Sequence, residues 1–259
     1  MACKRQRREP GQRLVVITLF PAIDLQDGRA VRLVQGDFAK VTVFNEDPVE
    51  QARAFHAGGA QAIHVVDLDG ARTGSPTHAP TVAAIAAAFP GLVQLGGGLR
   101  SRAAIETAVA TGARRIVVGT AVIEDQELLR WAVSRLGDQL VVALDAREGK
   151  VATHGWTRIS DTDAVEVATG LMRTGVRHLL YTDIARDGMM QGVNVPATVA
   201  MAQASRIPVI ASGGITDLDD IRGLLAQAHT GICGAITGRA IYEGTLDVAE
   251  AQRLCDAAA

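Results

Sequence analysis

Val93-Gln-Leu-Gly-Gly-Gly-Leu-Arg-Ser101 decides the reading of this chain. It has the form of a short buried strand, a glycine turn, and Ser101 as the N-cap of an alanine-rich helix. Such a turn lets backbone N–H groups close on an anion, and the helix dipole helps to hold it. Alone it is equally an ordinary strand-to-helix turn. A second copy changes the balance: Val209-Ile-Ala-Ser-Gly-Gly-Ile-Thr-Asp217 repeats the layout, with Asp217 in the place of Ser101. Gly97 and Gly98 stand 116 residues before Gly213 and Gly214.

The repetition extends to both sides. Val117-Val-Gly-Thr120 returns as Ile236-Thr-Gly-Arg239, and Pro21-Ala-Ile-Asp-Leu25 as Val142-Ala-Leu-Asp-Ala146, which sets Asp24 against Asp145. Between them, Ile63-His-Val-Val-Asp-Leu-Asp-Gly70 pairs loosely with Leu180-Tyr-Thr-Asp-Ile-Ala-Arg-Asp-Gly188. The same features recur in the same order at nearly constant spacing, so the chain reads as a duplicated half.

With 259 residues, 48% of them apolar and 21% charged, the chain can bury one large core. Its 27 glycines and few aromatics fit many tight turns around aliphatic packing. A formal charge of −2 gives no reason to expect a nucleic-acid or membrane surface. Cys3, Cys233 and Cys255 are too scattered for a disulfide frame or a metal knuckle and suit a reducing cytosol. Residues 1–13 are basic and polar, and the apolar run after them leads into Pro21-Ala-Ile-Asp without a small-residue cleavage site. They are expected to be a disordered extension rather than a signal peptide, with one barrel domain over 14–259.

Strands are expected at 14–23, 62–66, 92–95, 114–118, 140–144, 178–182, 208–211 and 232–236. Helices are expected from Asp47-Pro48 to Gly58-Gly59, and at 77–88, 101–110, 125–136, 161–174, 196–205, 217–227 and 246–256. Glycine followed by a continuous apolar run ends three helices and opens three strands, at Gly59, Gly112 and Gly175. Eight strands alternating with eight helices predict an α/β fold, a single (β/α)8 TIM barrel built from two duplicated half-barrels.

In such a barrel the chemistry sits at the C-terminal ends of the strands. Asp24 and Asp145 end the first and fifth strands, opposite each other across the mouth, where one can serve as base and the other as acid. The competing reading is that each caps a loop or pairs with Arg29, Arg32 or Arg147. Thr182, Asp183 and Asp187 gather after the sixth strand, although Asp187-Gly188 is also an ordinary turn pair. Asp67 and Asp69 occupy the related place after the second strand, as site groups or as loop holders, and His64 reads as a core histidine. Trp156 follows the fifth strand on a loop that it either anchors or uses to stack on a ligand. Arg32 lies beyond the end of the first strand. The turns carrying Gly97, Gly98, Arg100, Gly119 and Thr120 form one candidate anion cradle. Those carrying Ser212, Gly213, Gly214, Gly238 and Arg239 form a second. A ligand filling both is long, with a phosphate at each end.

At this point the chain resembles a known family, the histidine-biosynthesis isomerases that act on phosphoribosylformimino-aminoimidazole carboxamide ribotide (ProFAR). The resemblance runs from Leu19 to Ala251. It is carried by Pro21-Ala-Ile-Asp-Leu with Gly28-Arg-Ala-Val-Arg-Leu-Val-Gln-Gly36, by His64-Val-Val-Asp-Leu-Asp-Gly-Ala71, and by Tyr181-Thr-Asp-Ile-Ala-Arg-Asp-Gly188. His78 stands where relatives often carry Asn. The resemblance implies a cytoplasmic, cofactor-free and metal-free Amadori rearrangement of a bisphosphate by a monomeric enzyme. It also implies Asp24 as base, Asp145 as acid, and Thr182 and Asp187 as assisting groups. Three other readings share the features: an isomerase that also converts phosphoribosyl anthranilate, the cyclase subunit of imidazole glycerol phosphate synthase, and a non-catalytic phosphate-binding barrel. The cyclase differs in the strand-six motif, and two intact carboxylates argue against the last.

Overall fold

The computed structural model describes residues 17–34 and 37–258. The expected disordered extension, residues 1–13, lies outside the described residues, as does the expected start of the first strand at residue 14.

Eight parallel strands close a barrel. They are β1 (Thr18–Gln26), β2 (Ala62–Asp67), β3 (Leu92–Gly96), β4 (Arg115–Val118), β5 (Leu140–Arg147), β6 (Leu179–Asp183), β7 (Val209–Ser212) and β8 (Ile232–Thr237). Each pairs with the next in sequence, and β1 pairs with β8 through registers such as Phe20↔Ile236. Parallel strands covered on both faces require apolar residues at every position, which explains why these segments read as continuous aliphatic runs. Their two faces feed two cores. On β1, Leu19, Ile23 and Leu25 pack outward toward the helices. Phe20 and Ala22 point inward with Ala62, Val117, Val141, Leu180, Ile210 and Ile236.

That two-residue alternation is what delivers the site. The next inward position after Phe20 and Ala22 on β1 is Asp24. After Val141 and Ala143 on β5 it is Asp145, after Leu180 on β6 it is Thr182, and after Ile210 on β7 it is Ser212. Mainly apolar layers fill the barrel below, with His64 and Gln94 the polar exceptions one layer down, and the acids lie at its mouth.

The structure differs from the sequence reading in the connections. Beyond β1 the chain forms an antiparallel hairpin, Arg29–Val34 with Asp37–Asn45, and beyond β5 a second, Lys150–Thr153 with Arg158–Asp163. The turns that lead from β1 and β5 into these hairpins have two successive residues at positive φ, Asp27 (50°) with Gly28 (79°) and Glu148 (51°) with Gly149 (78°). A residue-glycine pair in this conformation matches the twist of antiparallel strands. The helix expected at 161–174 is therefore shorter, Ala164–Met172, and Asp163 caps it by accepting from the Val165 and Glu166 N–H groups. Short helices Leu68–Thr73, Thr120–Glu124 and Arg239–Tyr242 follow β2, β4 and β8 before the main helices begin. Among the described residues, no helix is long and apolar enough to cross a membrane.

Candidate active site

A cavity of about 610 Å³ opens at the C-terminal mouth of the barrel. Asp24, Arg32, Asp145, Trp156, Thr182, Asp187 and the residues of both glycine cradles line it, whereas Asp67, Asp69 and Asp183 do not.

Asp24 is held by Arg32, which the hairpin after β1 folds back over the mouth. Arg32 Nη1 donates to Asp24 Oδ2 at 2.7 Å, and Nη2 donates to the Ala22 carbonyl at 2.7 Å. The guanidinium also lies 5.1 Å from the ring centroid of Tyr242, whose hydroxyl donates to the same Ala22 carbonyl at 3.0 Å. Burial pushes the Asp24 carboxyl above its ordinary range, and the neighbouring Arg32 charge opposes that rise. Of the pairings the sequence left open for Asp24, the one with Arg32 is formed, whereas Arg29 lies near Asp27, at 3.8 Å.

Asp145 faces Asp24 from β5, four strands around the eight-stranded ring. Its Oδ2 accepts a hydrogen bond from the Trp156 indole N–H at 2.8 Å. Thr182, beside it in the β5–β6 register, supplies a second hydrogen bond. Burial raises the Asp145 carboxyl, while both donors favour its ionised form and hold it down. Trp156 therefore anchors its loop through an acid of the site. Three successive residues there, His154 (φ 55°), Gly155 (64°) and Trp156 (70°), take the left-handed conformation. For a residue with a side chain that geometry costs about 1–2 kcal/mol, so the turn spends stability to bring the indole inward.

Asp187 completes the group. Its carboxyl is pushed up to about 6, by burial first and then by the Asp24 charge, with Arg32 opposing and Asp145 adding to the rise. Asp24 and Asp187 thus share Arg32, while Asp145 adds to the negative charge around Asp187. Like charges in a poorly solvated space disfavour full ionisation, so these carboxyl groups hold protons to higher pH than free ones.

The two glycine turns are built alike. Gly97 (φ 107°) and Gly98 (φ 71°) pack on the loop after β2, and a Cβ at Gly97 would lie 2.2 Å from the Asp67 carbonyl oxygen. Gly213 (φ 89°) and Gly214 (φ 91°) pack on the loop after β6, with a Cβ at Gly213 2.6 Å from the Asp183 carbonyl oxygen. Glycine is thus required first by loop packing. The expected helix caps are present, with Ser101 Oγ accepting from Ala104 N–H and Asp217 from Asp219 and Asp220 N–H. Those caps already occupy donors of the long helices. The short helices Thr120–Glu124 and Arg239–Tyr242 start at Gly119 and Gly238 on the cavity wall, and neither has a side-chain cap. Arg100 and Arg239 line the cavity but donate to the Ala71 and Gly188 carbonyls, each at 2.5 Å.

The remaining acids are structural. Asp67 accepts from the N–H groups of Gly70, Thr77 and His78, and Asp183 accepts from Ala185 N–H and the Asn194 amide. Asp69 binds Asp27 N–H, Arg72 and His78. His64, expected in the core, is buried at 6% exposure and also lines the cavity. Tyr242 had no signal in the sequence. It reaches the site through contacts with Ala22, 220 residues away.

Comparison with known proteins adds a family. A family model described as "Histidine biosynthesis protein" matches residues 18–247. The chain is 54% identical over 240 residues to a Cellvibrio japonicus protein named 1-(5-phosphoribosyl)-5-((5-phosphoribosylamino)methylideneamino)imidazole-4-carboxamide isomerase, covering 92% of this chain and 99% of that one. Proteins of the same name from Rhizorhabdus wittichii and Pseudomonas syringae pv. tomato are each 50% identical, covering 92% of this chain and 98% of theirs.

Proposed function

The chain belongs to the histidine biosynthesis protein family, and from this we propose that it catalyses the aldose-to-ketose isomerisation for which those relatives are named. Its substrate is then the bisphosphate with a phosphoribosyl group at each end, ProFAR, and the reaction is an Amadori rearrangement. The observation that carries this reading is the placement of Asp24 and Asp145 on opposite sides of one cavity, with a glycine cradle on either flank. Two glycine cradles on one cavity suit a long ligand held by its two phosphates, with the reacting ribose between the acids.

The mechanism follows from where protons must move. Asp145 in its protonated form gives a proton to the ribose ring oxygen, and the ring C1–O bond breaks to leave a protonated Schiff base. Asp24, ionised beside Arg32, removes the proton from C2, and the electron pair neutralises the Schiff-base nitrogen to give an enolamine. Return of a proton to C1 and loss of the enol proton complete the aminoketose. The Trp156 indole and the Thr182 hydroxyl stabilise the Asp145 carboxylate that the first step creates. Asp187 stores a proton between the two acids, and general acid–base steps of this kind contribute about 10²–10⁴ each in rate. No group other than these side chains has to carry an electron or a proton. Arg100 and Arg239, which donate to the Ala71 and Gly188 loop carbonyls, can turn to phosphate oxygens when a ligand competes for them.

The test is to incubate the purified protein separately with ProFAR and with phosphoribosyl anthranilate and to follow both conversions. Turnover of ProFAR is expected. Absence of that turnover by a folded protein refutes the proposal, and turnover of both compounds would widen the substrate range.

A further inference from the structure

Two polar side chains lie one layer below the acids, where a barrel of this kind is otherwise aliphatic. His64 on β2 and Gln94 on β3 are direct partners in the β2–β3 register and both point into the barrel. Gln94 is wholly buried, and its Nε2 lies 3.1 Å from His64 Nδ1. Its Oε1 is buried without a partner. A buried amide with an orphaned oxygen is destabilising. An aliphatic residue at this position would remove that cost, so the amide calls for a role.

We propose that Gln94 is a positioning residue, whose amide donates to Nδ1 of His64 and holds the imidazole as the tautomer with its proton on Nε2. The inference rests on ring chemistry. A neutral imidazole has one donor and one acceptor nitrogen, so a donor presented to Nδ1 fixes the proton on the other side. His64 lines the cavity, and its Nε2 has no hydrogen-bond partner among the described residues. The tautomer therefore offers an uncharged N–H to the space that a substrate occupies. Burial, with Arg32 nearby, lowers the imidazole pKa to about 3, so the donor stays neutral and does not titrate with the acids. An uncharged donor beside Asp24 and Arg32 orients a hydroxyl or ring oxygen without adding a second cation to the Asp24–Arg32 pair.

Two readouts test this, and only the second depends on the proposed isomerase activity. In protein labelled with 15N-histidine, with His64 assigned from a His64→Asn sample, Nδ1 of His64 should resonate as the unprotonated, pyridine-type nitrogen and Nε2 as the protonated one. The reverse assignment in the wild type overturns the proposal outright. Gln94→Glu places an acceptor where the donor was and should move the proton to Nδ1. Gln94→Leu should leave a mixture of tautomers. Loss of one net hydrogen bond predicts that kcat of Gln94→Leu falls roughly 2- to 12-fold with KM changed less than about 2-fold. A folded Gln94→Leu protein with the wild-type tautomer and wild-type kcat would also overturn it. If the wild type converts no ProFAR while His64 shows the expected tautomer, the functional reading fails and the positioning role stands.

Discussion

Trp156→Phe isolates one hydrogen bond. The substitution keeps the aromatic ring and the loop but removes the indole N–H that donates to Asp145 Oδ2 at 2.8 Å. A hydrogen bond to a charged group contributes about 1.5–3 kcal/mol, and one pKa unit corresponds to about 1.36 kcal/mol. The Asp145 carboxyl, already raised by burial, should therefore rise by a further one to two units or so. The direction is fixed by the proton inventory. Asp145 has to be protonated to open the ring, so activity falls as pH rises through its apparent pKa. Losing the indole donor should move the alkaline limb of the kcat profile upward by that amount. The plateau should fall as well, because the carboxylate formed on proton donation has lost a donor. If about half of the interaction is felt in the transition state, kcat drops roughly 4- to 13-fold. The assay is turnover from pH 5 to 10, with a melting curve at each end of the range. An alkaline limb that stays in place, or moves down, would refute the assignment of Asp145 as the acid.

Four further outcomes follow from the same geometry. Asp24→Asn and Asp145→Asn should each lower kcat by at least about 10²-fold, and calorimetry should show the larger loss of stability for Asp24→Asn, because it strips the buried Arg32 of its counter-ion. Asp187 titrates near 6 in the folded protein against an ordinary 3.8, so the stability linked to it is full below pH 3.8 and lost as pH rises through 6. Asp187→Asn removes that loss, and denaturant unfolding at pH 8 should find the variant about 1–3 kcal/mol more stable than wild type, with the gain vanishing near pH 4. Gly97→Ala and Gly213→Ala should each cost at least about 2 kcal/mol and lower Tm by about 4–8 °C or more, through backbone clash and positive φ. Ser212→Ala, whose hydroxyl has no protein partner among the described residues, should leave Tm unchanged and raise KM; the opposite pattern in either set would mean the cradle has been misread.

The parts of this protein that were legible in its sequence are those set by short periodicities. Continuous apolar runs between glycine turns announced the parallel strands, and the matched positions of Asp24 and Asp145 at strand ends placed them across a single mouth. Asp67 and Asp69 illustrate the limit. The sequence allowed them to be site groups or loop holders, and only the backbone N–H groups that converge on them decide for loops. The hairpins after β1 and β5 were not among the strands expected from the sequence, although Asp27-Gly28 and Glu148-Gly149 each carry the turn chemistry of a hairpin. Trp156 could not be assigned, since three successive left-handed residues direct it and residue preferences do not foretell such a run. His64 was read as a core histidine, as it is, but its cavity-facing side and Gln94 beside it were hidden, because an inward-facing polar residue in an aliphatic strand looks the same as any other interruption. Tyr242 depends wholly on the closing of β1 against β8. The two glycine turns were recognised but only half understood, because their nearest neighbours are the loops after β2 and β6.

The central claim is that two cradles hold one bisphosphate with its reacting sugar between Asp24 and Asp145. A crystal structure of the Asp145→Asn protein, soaked with ProFAR so that the substrate is not converted, tests it most directly. The account predicts one phosphate against the Gly97–Gly98 and Gly119–Thr120 turns, the other against the Ser212–Gly214 and Gly238–Arg239 turns, and the C2 carbon of the sugar within reach of Asp24. A substrate bound with both phosphates outside these turns, or with its C2 carbon turned away from Asp24, would contradict it.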